Sequence, residues 1–166
     1  MVSPQVFRVF IASPTDAADE RKAAHEVVAS VNKELEPQAV KFELVGWETV
    51  PGTARRPQDA INELVDQSDF MLCVFRKRWG SPPGGDLYSS GTEEELFTGL
   101  LSLGDTKRPM RDVCLVFAEY PGERRDKEVT DLQEQVVQSK ALFFEHVISQ
   151  TDYCKRLRRR LLQWAG

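Results

Sequence analysis

Six apolar residues in unbroken succession, Phe70-Met71-Leu72-Cys73-Val74-Phe75, constrain the fold of this chain more than any other feature. A half-exposed strand alternates polar and apolar residues. A run without interruption suits a central strand of a parallel sheet with helices on both faces. The rest of the sequence is organised to match. Residues 6–12 and 40–47 read as strands one and two, residues 113–117 as the fourth and residues 142–148 as a fifth. Between them lie helical segments at about 15–36, 57–67, 92–103, 130–140 and 151–164, marked by apolar stripes such as Ala17, Ala24, Val28, Val31 and Leu35. Strands alternating with helices imply right-handed βαβ units. The expectation is a flavodoxin-like α/β sandwich, five parallel strands in the order 2-1-3-4-5.

That order locates a crevice. Connections leave strands one and three in opposite directions, and ligands of open α/β sheets bind at the carboxyl ends of such strands. Ser13-Pro14-Thr15-Asp16 follows strand one, and Arg76-Lys77-Arg78-Trp79-Gly80 opens a Gly- and Pro-rich stretch over residues 76–91. Residues 47–56 lie at the side.

Composition excludes several classes. The 166 residues carry 22 Lys+Arg against 26 Asp+Glu, a net charge of −4 that argues against nucleic-acid binding through bulk charge. No apolar run reaches the ~18 residues of a membrane span. Arg8 interrupts the first apolar stretch and no small-residue cleavage site follows, so no secretory signal is read. Three cysteines make no disulfide framework; Cys73 and Cys114, set in apolar runs, read as reduced, buried thiols. The expectation is one domain over residues 1–166, cytoplasmic, with no membrane partner. The chain has neither G-x-x-x-x-G-K-[ST] nor G-x-G-x-x-G. His25 and His146 stand apart from any cysteine pair, and no metal site is expected.

What remains is a carboxylate in aromatic and basic company. Ser89-Ser90-Gly91-Thr92-Glu93-Glu94-Glu95-Leu96 starts a helix, where acids suit the dipole and Thr92-x-x-Glu95 has capping-box spacing. Alternatively, one of these acids enters the crevice beside Arg78 and Trp79, where the arginine would hold a phosphate and the aromatic would stack on a ring. A carboxylate there would stabilise an oxocarbenium at a ribose carbon, as in glycoside cleavage. Each companion has a plain alternative. Ser13 reads equally as an N-cap ahead of Pro14. Trp47 reads as core rim, Trp79 as a cover for the sheet edge, and Arg76 and Arg78 as solvated side chains. The basic run Lys155-Arg156-Leu157-Arg158-Arg159-Arg160 reads as a solvated helix face or a contact with a following domain.

Phe7-Arg8-Val9-Phe10-Ile11-Ala12-Ser13-Pro14 followed by Glu20-Arg21 resembles the opening of a TIR-like family found at the front of bacterial multidomain proteins. Arg56-Pro57-Gln58, Ile61-Asn62-Glu63-Leu64, Ser68-Asp69, Lys77-Arg78-Trp79-Gly80 and Ser90-Gly91-Thr92-Glu93-Glu94-Glu95 extend the resemblance in order. Members are similar both to Toll/interleukin-1 receptor domains and to nucleoside deoxyribosyltransferases. The resemblance implies an NAD-cleaving effector domain of anti-phage defence or signalling that acts once self-associated, with further domains in the same chain. NAD is then substrate, and no cofactor is implied. Both comparisons select Glu95 as the catalytic glutamate. Ser13, Pro14 and Asp16 match the loop lining the nucleotide pocket, with Trp47, Arg78, Trp79 and Thr92 as further substrate contacts. Typical TIR NADases carry a Trp-Cys pair shortly before the glutamate, where this chain has Gly91-Thr92. The resemblance leaves two alternatives: a non-catalytic self-association module, and an N-glycosidase or transferase acting on another nucleotide or nucleoside.

Overall fold

The computed structural model describes residues 2–50, 52, 55–85, 87–140 and 142–166. Five strands form one parallel sheet: β1 Gln5–Ala12, β2 Val40–Val45, β3 Phe70–Phe75, β4 Asp112–Ala118 and β5 Phe144–Val147, ordered β2-β1-β3-β4-β5. The crossovers are α1 Ala18–Leu35, α2 Pro57–Asp66, α3 Gly91–Leu103 and α4 Lys127–Ser139, and α5 Gln150–Ala165 closes the fold. The fold is flavodoxin-like, as the strand and helix pattern predicts.

The pleat divides the core. Alternate residues of a strand face opposite sides. Phe7, Val9, Ile11, Leu72 and Val74 pack with Ala24, Val28 and Val31 of α1 and Tyr153, Leu157 and Leu161 of α5. Phe10, Ala12, Met71, Cys73 and Phe75 pack with Val65 of α2, Leu96 of α3, and Val129 and Val136 of α4. All six β3 residues are buried, which explains their unbroken apolarity. At the β2 edge, the Asn32 side chain donates to the Phe42 carbonyl (2.9 Å) and accepts from its N–H (2.8 Å), satisfying backbone groups that no neighbouring strand pairs.

The register of β1 against β3 runs from Val9 opposite Phe70 to Ala12 opposite Cys73, so β3 continues two residues past the end of β1. The chains after both strands emerge at the same end of the sheet. Asp16 fixes this arrangement by accepting from the Lys77 and Arg78 backbone N–H groups (2.9 and 3.2 Å). Among the described residues no helix is long and apolar enough to cross a membrane.

One local expectation is corrected. The first helix is not capped by Ser13: Pro14 precedes a single 3-10 turn, Thr15–Ala17, with no side-chain cap, and α1 starts only at Ala18. The basic run on α5 lies on the surface, with Lys155 and Arg159 exposed and the other three arginines in surface ion pairs. Arg156 and Arg160 reach Glu145 at 2.7 and 3.1 Å, and Arg158 reaches Glu34 at 2.5 Å.

Candidate functional site

The first turn of α3 gives three successive acids three different tasks. Consecutive helical residues point about 100° apart, so Glu93, Glu94 and Glu95 cannot share a direction. The cap is Ser90, whose hydroxyl accepts from the Glu93 N–H (3.1 Å). The Glu93 carboxylate turns back to accept from the Ser89 N–H (2.7 Å). The cap is therefore Ser90, two positions before the Thr92-x-x-Glu95 spacing, and Glu93 closes back onto Ser89 beside it. Glu94 is buried, held by Arg56 Nη2 at 2.6 Å and Asn62 Nδ2 at 2.6 Å, and this joins α3 to α2. Arg56 also donates to the Gly84 carbonyl, tying the 76–91 stretch to the same pair of helices.

Glu95 is left over. It is 6 % exposed, and among the described residues its carboxylate has no hydrogen-bond partner. It faces a cleft of about 310 Å³ at the carboxyl ends of β1 and β3. The cleft is lined by Ser13, Pro14 and Thr15 after β1, Trp47 after β2, Ile61 of α2, Gly80 after β3, and Gly91 and Thr92 at the start of α3. Burial pushes the Glu95 pKa from 4.5 up to about 8; Arg21 opposes that rise, and Glu94 and Glu48 add to it. The cleft thus holds a carboxyl group that changes charge near neutrality, the condition a general acid or base requires.

Gly80 makes its part of the lining possible. Its φ of +109° is one that side-chain-bearing residues rarely adopt, and an added Cβ would sit 3.4 to 3.7 Å from Ser90, Thr92 and Pro14.

Of the residues singled out in the sequence, Ser13, Pro14, Trp47, Thr92 and Glu95 converge on this cleft. Three do not. Trp79 is 8 % exposed, stacked on Phe75 with ring centroids 5.0 Å apart, and its indole N–H donates to Ser89 (2.8 Å). It belongs to the core beneath the loop, because the chain after β3 folds it back onto the sheet. The Arg78 side chain is 71 % exposed and lies 3.7 Å from Asp126, away from the cleft lining. Asp16 holds backbone amides instead of lining the cleft.

The structure adds two residues. Gln58, 6 % exposed, lines the cleft from α2 and donates to Asn62 (3.2 Å). Arg21 stands behind the cleft wall, donating through Nη1 to Ser13 Oγ (2.7 Å) and through Nη2 to Glu48 (2.7 Å). Sequence spacing gave no reason to separate Arg21 from other surface cations of an amphipathic helix; only the return of β2 beside β1 brings Glu48 to it. Among the described residues no group of three His, Cys, Asp or Glu side chains is placed to hold a metal.

The sheet order and the flanking helices define the class, a flavodoxin-like α/β domain, here with the buried Glu95 carboxyl at its crevice. Comparison with known families then places the chain. The model described as "Domain of unknown function (DUF4062)" matches residues 8–162, and the chain belongs to this family. No curated protein matches it.

Proposed function

We propose that this domain cleaves the N-glycosidic bond of NAD and releases nicotinamide, with Glu95 as the catalytic carboxylate. The observation that carries the proposal is the Glu95 carboxyl itself, buried, without a hydrogen-bond partner among the described residues and open to the cleft. The resemblance to TIR NADases and deoxyribosyltransferases supports the choice of bond. When C1′–N breaks, its electron pair moves to the pyridinium nitrogen and nicotinamide leaves neutral. Positive charge passes to the ribose as an oxocarbenium. An ionised Glu95 stabilises that charge, water adds at C1′, and one proton is released. The exposed face of Trp47 supports a ring, and Ser13 and Thr92 offer hydroxyls to the ribose. The positive charge of the nicotinamide ring, seated beside Glu95, favours the ionised carboxylate, so binding in this pose releases a proton and tightens as pH rises towards about 8.

One observation favours a second reading. Among the described residues no Lys or Arg lines the cleft, and Arg21 behind it is already paired with Glu48, which weakens the case for a diphosphate. An uncharged nucleoside fits that lining, with cleavage of its base–sugar bond by the same carboxylate. A cytoplasmic location, further domains in the same chain, and self-association belong to the proposal. Phe143 (98 % exposed) and Val137 (55 % exposed), beside the short strand β5, support self-association.

The test is nicotinamide release from NAD by concentrated protein, with a nucleoside panel read by free base. The expected result is turnover by the wild type and loss of at least 100-fold in Glu95→Gln. Equal rates in the two proteins, or no release from any substrate, overturn the catalytic reading. An inert protein whose assembly is unchanged in Glu95→Gln leaves the non-catalytic module.

A further inference from the structure

Arg21 is a cation held against the site from behind, with both terminal guanidinium nitrogens engaged. One guanidinium nitrogen, Nη1, reaches Ser13 Oγ at 2.7 Å and lies 3.4 Å from the Ile11 carbonyl, at the end of β1. The other, Nη2, reaches Glu48 at 2.7 Å in the turn Trp47–Thr49 after β2, and the guanidinium carbon lies 6.0 Å from the Trp47 ring centroid. The approach depends on Gly46, since a Cβ there would stand 2.6 Å from Nη2. The side chain is only 13 % exposed. One planar fork therefore joins the two loops that contribute Ser13 and Trp47 to the cleft lining.

We infer that Arg21 is the positioning residue of the cleft: its fork orients the Ser13 hydroxyl as a donor toward the ligand and holds the Trp47 loop through Glu48. The inference rests on the cleft being the functional site, and it extends that reading. An arginine only donates, so Ser13 Oγ is an acceptor in this pair and its own proton must be given elsewhere. Among the described residues no acceptor takes that proton. The cleft then offers a hydroxyl donor to an oxygen of the ligand, a ribose hydroxyl or a phosphate oxygen.

The same pair bears on Glu95. The charged or titratable groups facing Glu95 are Arg21 from α1, Glu48 from the turn after β2, its helix neighbour Glu94, and the Cys73 thiol from β3. Arg21 favours the ionised carboxylate, and Glu48 opposes it. Breaking this one ion pair from its two ends therefore has opposite electrostatic consequences.

The experiment is a carbon-13 titration of the Glu95 side-chain carboxyl in full-length protein, assigned by its absence in Glu95→Gln. In Arg21→Gln the midpoint rises by at least half a pH unit. In Glu48→Gln it falls, and in Arg21→Lys it stays closer to the wild type than in Arg21→Gln. A merely structural bridge shifts both ends in the same direction or leaves the midpoint in place, and either result overturns the inference. Backbone shifts of Ser13 and Trp47 report whether each variant keeps the fold. The titration needs no turnover, so a protein inactive on NAD and on every nucleoside tested that still shows the opposite shifts refutes the enzymatic reading and retains this one.

Discussion

A carboxyl buried without a partner destabilises the fold whenever it is charged, and Glu95 shows how much of a site can rest on one such group. Its pKa of about 8 stands above the 4.5 of an exposed glutamate. The folded chain therefore keeps the proton that the unfolded chain releases. Stability contributed by this group is complete below pH 4.5 and is lost as pH rises to about 8. The full difference corresponds to on the order of 5 kcal/mol, an upper bound that local relaxation reduces. Glu95→Gln lacks the loss. Thermal melts are expected to show the variant near the wild type at pH 5 and clearly more stable at pH 9. A variant that is less stable at pH 9 shows the carboxylate to be held by the fold and contradicts the account of the site. Glu95 was legible in the sequence as an acid of a helix start. That it is the one left unpartnered was not, because its freedom depends on Arg56 and Asn62 taking Glu94 across from α2.

At the scale of the element, α3 turns a run of acids into a cap, a brace and a free group. The sequence pattern located the helix but shifted its start. Thr92 and Glu95 have capping-box spacing, and so do Ser90 and Glu93; the irregular chain before Gly91 leaves Ser90 in the extended geometry of a cap. The two registers are separable by mutation. Ser90→Ala is expected to lower stability by about 1 kcal/mol in urea unfolding. Thr92→Val removes no capping bond and is expected to leave the Glu93 N–H protected from exchange. A larger loss of that protection in Thr92→Val than in Ser90→Ala contradicts the observed register. The strands were more legible than the loops. Six buried residues in β3 declare a central strand by composition alone. Trp79 and Arg78 sit four and three residues past it, and no local pattern tells whether the chain there turns a side chain onto the sheet or into the crevice. The structure sends Trp79 to Phe75 and Arg78 to Asp126.

Over the whole molecule, strand order does the positioning. With β1 between β2 and β3, the loops carrying Ser13, Trp47 and Gly80 meet at one end of the sheet, and the β3–α3 crossover brings Glu95 beneath them. Nothing in this arrangement uses the opposite end of the sheet, where Val2, Pro4 and Lys41 line a separate hollow, or the apolar groove between α4 and β5 that holds Phe143. Of these concave surfaces, the one that holds Glu95 is the proposed site. The most direct measurement is an amide and indole NMR titration of Glu95→Gln protein with NAD and with a nucleoside, which reads binding whether or not turnover occurs. The account predicts saturable shifts centred on Ser13, the Trp47 indole, Gly80, Gly91 and Thr92. Shifts confined to the Phe143 groove or to the Val2 hollow, or none with either ligand, would contradict it.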